Sequence, residues 1–218
     1  MTHSGIKVLV ADDHTIVRRG LVSLLSLAGG IEVVAEAENG REAVEKSLLL
    51  GPDVVLMDVS MPLLNGLEAT EQIKKKAPRI KVLILSAHDN EEYVLQVVRS
   101  GANGYMLKNT SAEDLFRAIR TVHAGQDFFS PSVSSMIVTA PAEPPNGADV
   151  RTRLTARERE VLQLVAEGNH HQRIADLLNI SVRTVDTHCN NIMRKLDLHD
   201  RATLATYAIK NGIVILPK

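Results

Sequence analysis

The feature that most constrains this chain is a unit repeated five times between residues 6 and 124: an apolar run of strand length, then an amphipathic stretch of helical length. Ile6–Ala11, Ile31–Glu36, Asp53–Asp58, Ile80–Ser86 and Asn103–Leu107 read as strands. After the first, Ile16, Val17, Leu21, Leu24 and Leu25 recur at helical spacing until Gly29-Gly30. Asn39 can cap a helix from Gly40 to Leu50, which Gly51-Pro52 ends. A third helix runs from Asn65 to Ala77 and stops at Pro78. Asn90 and Ser111 can cap two more, closed by Gly101 and Gly125. Strands that alternate with helices in this order pair in parallel, and the crossovers place helices on both faces of one sheet.

Polar residues stand where these strands end. Asp12-Asp13 follows the first, Asp58 ends the third, Ser86 ends the fourth and Lys108 follows the fifth. In a parallel α/β sheet those ends share one edge, where ligands bind. Three clustered carboxylates repel one another, and a divalent cation relieves that repulsion. Mg²⁺ suits oxygen ligands and keeps several waters. One aspartate can then attack a phosphoryl group, while Lys108 neutralises charge and Ser86 donates a hydrogen bond. Taken singly, Asp58 and Asp13 also fit helix caps, Ser86 a turn and Lys108 a solvated lysine. The combination is more specific than its parts.

Residues 130–150 break the rhythm with Pro131, Pro141, Pro144, Pro145, Gly147 and four serines. This stretch reads as a linker, with a short helix at Ser132–Val138 compatible with its first part. Charge also divides there. Residues 1–130 carry 14 Lys and Arg against 17 Asp and Glu, whereas residues 151–218 carry 11 against 7. The second part is therefore the one suited to a polyanion. Aromatic residues are only 3% of the chain, so Val, Leu, Ile and Ala must build the cores. No apolar run approaches the roughly 20 residues that span a bilayer, and the first residues lack a signal-peptide pattern. The expectation is a cytoplasmic protein without a membrane partner. A single cysteine, Cys189, rules out an internal disulfide.

Four short helices follow the linker. Thr155-Ala156-Arg157-Glu158 is a capping box that opens a helix to about Glu167. Gln172 to Leu178 is the second, Ser181 caps the third from Val182 to Leu196, and Asp200 caps the fourth from Arg201 to Lys210. Val182, Val185, Cys189, Ile192 and Leu196 form an apolar seam on the third, so Cys189 reads as core. The opposite face carries Arg183, Thr187, Asn190, Asn191 and Arg194, with Asp186 on the flank. An ordinary amphipathic helix has such faces too. The short turn Asn179-Ile180-Ser181 adds helix-turn-helix spacing, and Arg, Asn and Thr are residue types that read base edges and phosphates.

Residues 6–124 resemble the receiver domain of two-component response regulators. The resemblance rests on Asp12-Asp13, the run Asp58-x-x-Met61-Pro62-x-x-x-Gly66, Ser86, and Tyr105-x-x-Lys108. It implies a flavodoxin-like fold with strand order 2-1-3-4-5 and Asp58 as the phosphoacceptor. By the same resemblance, Mg²⁺ is ligated by Asp13, Asp58 and the Ser60 backbone carbonyl, with Asp12 ligating through water. Ser86 and Tyr105 match the switch pair that responds to phosphorylation.

Residues 153–212 resemble the DNA-binding domain of NarL/FixJ/LuxR-type regulators. The match runs through Leu154-Thr155-x-Arg157-Glu158-x-Glu160-Val161-Leu162, Gly168, Ile174-Ala175, Leu178, Ser181, Thr184-Val185, His188, Ile192, Lys195-Leu196 and Arg201. It implies a recognition helix within Val182–Leu196, with Arg173, Arg183, Thr184, Asp186, Thr187, His188, Asn190, Asn191, Arg194 and Lys195 as DNA contacts. Ala202, Ala205, Ala208 and Ile209 would form a dimerising stripe on DNA, although core packing would leave the same pattern. Two departures stand out. The family's Ser-Asn-Lys-Glu is here His170-His171-Gln172-Arg173, which removes a capping box at ~1 kcal/mol. The usual basic residue after Thr-Val is Asp186, which repels phosphate but can accept from a cytosine amino group. His170 and His171 lack an evident third metal ligand.

The expected organisation is a receiver over residues 1–128, a linker over 129–150 and a helix-turn-helix domain over 151–218. The expected protein is a regulator and not an enzyme: a sensor histidine kinase phosphorylates Asp58, and a homodimer binds double-stranded DNA and engages RNA polymerase. The alternative is a phosphorylation-independent regulator with a structural receiver. An aspartyl-phosphate phosphatase would carry a second Asp where Ser60 stands, which argues against that enzyme. A pure interaction module would lack salt-dependent DNA binding.

Overall fold

A computed structural model describes residues 5–87, 91–129, 154–198, 200–210 and 213. The chain divides into two compact units, residues 1–140 and 141–218.

The first unit alternates strands and helices in the order β1 (Ile6–Ala11), α1 (Thr15–Ser26), β2 (Ile31–Ala37), α2 (Gly40–Leu50), β3 (Val54–Asp58), α3 (Gly66–Lys76), β4 (Lys81–Ser86), α4 (Glu91–Arg99), β5 (Gly104–Leu107) and α5 (Ala112–His123). All pairings are parallel, and the order is β2-β1-β3-β4-β5, as the resemblance implied. Every residue of β3 is buried, which fits a continuous apolar strand covered on both faces. Val8, Val10, Leu25, Val54, Leu56, Leu83, Leu115, Ile119 and Val122 form one aliphatic core.

Side-chain caps fix where the helices begin. Asn39, Asn65 and Ser111 accept from the backbone N–H groups of Glu42, Glu68 and Asp114, each worth about 1 kcal/mol. Asn65 thus precedes its helix as the N-cap. The first helix ends at Ser26, before the paired glycines, because the Leu27 and Ala28 N–H groups already close its last turn. Strand β2 runs one residue further than expected, to Ala37, whose carbonyl accepts from Asp12 N. The Asn90 cap, the helix at Ser132–Val138 and the linker over 130–150 lie outside the described residues.

The turn after β3 depends on Gly66. A Cβ there would lie 1.9 Å from the Asp58 carbonyl oxygen, and its N–H donates to Val59 O at 2.9 Å. Only a glycine lets the start of α3 fold back this tightly against the end of β3.

The second unit contains α6 (Ala156–Ala166), α7 (His171–Leu178), α8 (Val182–Leu196) and α9 (Arg201–Lys210). Both halves of the Thr155–Glu158 capping box are formed. Helix α7 starts one residue earlier than expected and is capped after all: His170 Nδ1 accepts from Arg173 N at 3.1 Å. The imidazole replaces the hydroxyl that the family pattern places there. Asn179 takes a left-handed conformation and ends α7, and Ser181 caps α8. Val185, Cys189, Ile192 and Leu196 are buried on one seam of α8, as its spacing indicated. Among the described residues, no helix is long and apolar enough to cross a membrane.

Candidate functional site

Asp12, Asp13, Asp58, Ser86 and Lys108 converge at the C-terminal edge of the sheet. Asp12 and Asp58 are almost fully buried, at 1% and 3% exposure. Lys108 Nζ bridges them, 2.7 Å from Asp12 Oδ2 and 3.0 Å from Asp58 Oδ1. Asp58 Oδ1 also accepts from Val59 N at 2.8 Å. The other oxygen, Oδ2, is buried and has no hydrogen-bond partner among the described residues. Burial pushes the Asp58 carboxyl up to about 6, Asp12 adds to the rise, and Lys108 opposes it. Lys108 itself is raised, because its two carboxylate neighbours outweigh its burial.

Candidate metal ligand atoms from Asp12, Asp13, His14 and Asp58 lie within 4.8 Å of one another. The orphaned Asp58 oxygen, the oxygen-rich donor set and the mutual repulsion of three carboxylates all fit a hard divalent cation. Ser60 is half-buried, two residues beyond Asp58. Ser86 is buried at the end of β4, and the Lys108 N–H donates to its carbonyl at 2.8 Å. Tyr105 is half-buried on β5, paired with Ile84.

Two contributors escaped the sequence reading. Arg18 is 5% exposed on α1. It donates to the Asp12 carbonyl at 2.8 Å and reaches Glu36 at 3.1 Å and Glu38 at 2.6 Å, so it holds the acidic loop from behind. Its partners are far off in sequence and the second strand hid them. His14 N donates to Asp12 Oδ1 at 2.8 Å, and His14 Nδ1 lies 2.8 Å from Asp13. Asp13 is therefore committed to the pocket and does not cap α1, whose start lacks a side-chain cap.

In the second unit, Arg183, Asp186, Thr187, Asn190 and Arg194 are exposed along α8, and Arg173 is exposed on α7. Thr184, His188 and Asn191 are half-buried. Lys195 is exposed on α8 and also makes an ion pair within the unit. Its ammonium lies 2.7 Å from the buried Glu158, which also accepts from Thr155 N and Oγ1, so it ties α8 to α6. Hydrogen bonds from Lys195 and Thr155 hold the Glu158 carboxyl below its ordinary value despite burial. On α9, Ala208 is fully buried and belongs to the core that α9 shares with α6, not to a free dimer stripe. Ala205 is half-buried and Ile209 is exposed. The side chain of Ala202 lies outside the described residues.

A parallel five-stranded sheet with an acidic edge, followed by a helix-turn-helix unit, defines a class. The chain matches the response regulator receiver domain over residues 8–120 and the luxR family of bacterial regulatory proteins over residues 152–208. It belongs to the LuxR/NarL-family response regulators of two-component systems. Among curated relatives it is 41% identical to the response regulator protein VraR of Staphylococcus aureus, over 96% of this chain and 99% of that one. Among solved structures it is similar to the response regulator ChrA of a heme-sensing two-component system, with TM-score 0.52 and 34% identity over 97% of this chain and 100% of that one. It is also similar to RcsB of Salmonella typhimurium, with TM-score 0.61 and 27% identity over 95% of this chain and 98% of that one.

Proposed function

We propose that this chain is a cytoplasmic transcriptional regulator switched by phosphorylation of Asp58. Its parts are a receiver over residues 1–128, a linker over 129–150 and a DNA-binding domain over 151–218. The observation that carries the reading is the buried Asp58 oxygen without a partner among the described residues, beside a lysine bridging two aspartates.

Asp58 Oδ2 is the nucleophile. It attacks the phosphorus of a sensor kinase's phosphohistidine or of a small phosphodonor. The bond from phosphorus to the donor breaks, and an acyl phosphate forms on Asp58. Asp13, Asp58 and the Ser60 carbonyl would hold Mg²⁺, with Asp12 reaching it through water. Held there, the ion would supply positive charge against the transferring group. Lys108 transfers its contact from Asp58 to a phosphoryl oxygen. Arg18 keeps the Asp12–Asp13 loop in place.

The added group brings roughly −1.5 to −2 charges and three strong acceptors. Ser86 donates to one of them, Tyr105 follows, and the surface around β5 changes. This biases an equilibrium that favours a dimer on double-stranded DNA. Ile209 and Ala205 remain candidates for the dimer contact. Arg173, Arg183, Thr184, Asp186, Thr187, His188, Asn190, Asn191 and Arg194 face the DNA, and RNA polymerase is the downstream partner. Among the neighbours, one RcsB structure holds two dimers bound to two parallel DNAs, with TM-score 0.58 and 27% identity.

The test is fluorescence anisotropy on fragments of the chain's own promoter region, with and without acetyl phosphate and Mg²⁺. Intact-mass spectrometry run alongside should show one added phosphoryl group, absent in Asp58→Ala. Tightened binding only when Asp58 is present supports the switch. Equal binding in all arms would make the receiver structural.

A further inference from the structure

The outer face of α8 carries one acidic side chain among its cations and amides, and that side chain is held. Asp186 is 52% exposed, yet one carboxylate oxygen is engaged by Nδ1 of His171, the first residue of α7. The His171 side chain is only 16% exposed. Its other ring nitrogen lies 3.6 Å from Cys189 Sγ on the buried seam. The imidazole is therefore held from both sides, and the carboxylate beside Nδ1 favours the form in which that nitrogen carries a proton and donates to Asp186. The second oxygen of Asp186 is given no partner among the described residues. The nearby hydroxyl of Thr187 is turned back onto the Arg183 carbonyl at 2.9 Å, and Arg194 binds Asn191 at 3.1 Å.

The face that α8 offers thus includes one acceptor with a fixed direction. A carboxylate cannot bind phosphate, nor N7 and O6 of guanine, nor O4 of thymine, because those are acceptors too. In the major groove it accepts from an exocyclic amino group, and cytosine N4 offers that donor without an adjacent N7. A carboxylate held by a hydrogen bond loses little side-chain freedom on binding.

Building on the DNA-binding reading above, we propose that Asp186, positioned by His171, selects a cytosine at one position of each DNA half-site. Asp186 would touch the base. His171 would act through Asp186 and is a positioning residue.

The test uses the full chain with acetyl phosphate and Mg²⁺ in a selection from randomised duplexes, read by sequencing. The wild type should show one cytosine position per half-site, preferred roughly tenfold or more over other bases. Asp186→Asn should move that position to adenine, because an amide pairs with N6 and N7. Asp186→Ala should flatten it while leaving neighbouring positions intact. His171→Gln should keep the cytosine but weaken its preference several-fold, a change that a purely structural histidine would not confine to one base pair. A wild type that selects a sequence, with an unchanged preference in Asp186→Asn, overturns the proposal alone. A wild type that selects no sequence overturns the DNA-binding reading and this proposal with it.

Discussion

Each unit of this chain buries a carboxylate against a lysine, and the two pairs differ in character. Glu158 is 4% exposed. Its carboxylate takes Lys195, Thr155 N and Thr155 Oγ1, and its carboxyl is held down. Asp58 is also almost fully buried, but one oxygen has no partner among the described residues, a second aspartate stands beside it, and burial pushes its carboxyl up. Satisfied acceptors make a joint, whereas an unsatisfied one beside a like charge keeps a place for something that must arrive. Burial and a lysine alone therefore do not identify a functional acid.

The largest test of that contrast is Glu158→Ala. It removes the capping box and leaves Lys195 without its acceptor, so the second unit should lose about 3 kcal/mol. Calorimetry of the full chain would show a lowered transition for that unit alone. A loss confined to a few tenths would make Glu158 a surface pair in disguise. Asp58→Asn should act in the opposite direction. It removes the cost of burying a charged carboxylate, which outweighs the attraction to Lys108, and should stabilise the first unit at pH 7 by roughly 1 to 2 kcal/mol without Mg²⁺. Destabilisation of similar size in chemical denaturation would show that Asp58 is already satisfied.

Millimolar Mg²⁺ comes next in size. It should raise the midpoint of the first unit by mass action, an effect that Asp13→Asn or Asp58→Asn removes. The second unit should not respond. A shift of the second transition would mean that the ion acts elsewhere.

The smallest effect is the pH dependence, and its signs differ between units. With Asp58 raised from an ordinary 3.8 to about 6, its protonated form stabilises the fold fully below 3.8, and that contribution is lost as pH rises through about 6. Glu158 is lowered, so its contribution is present above the ordinary 4.5 and is lost as pH falls through its folded value. Between pH 7 and 5, the first unit should gain stability through Asp58 in Mg²⁺-free buffer. Glu158 should cost the second unit little until lower pH. Thermal melts of wild type, Asp58→Asn and Glu158→Gln across that range would separate the two.

Much of the sheet was legible because its strands are short runs punctuated by Gly, Pro and Asn, and four of the five end on or lead straight into a residue at the functional edge. The acidic pocket was legible for the same reason, since in a parallel sheet the strand ends converge. Arg18 was not, because a basic residue among helical apolar positions looks like a solvated face until Glu36 and Glu38 are brought beside it. The ion pair of Lys195 was hidden for a related reason: on a helical wheel it lies near the polar face, and only packing against α6 brings Glu158 beside it. Ala208 exposes the limit of stripe reading, since small residues on one face serve a helix–helix core as well as a dimer surface. His170 shows that cap chemistry is wider than the residue types usually expected there.

Arg18 also joins positions that lie well apart in the sequence. Glu36 and Glu38 stand at and just beyond the end of the edge strand β2, and the Asp12 carbonyl shares a guanidinium with them. A charge reversal at that strand end would be felt as a misplaced acidic loop some distance away. Arg18 on α1, Glu36 on β2 and Glu38 just beyond it therefore act as one brace for that loop.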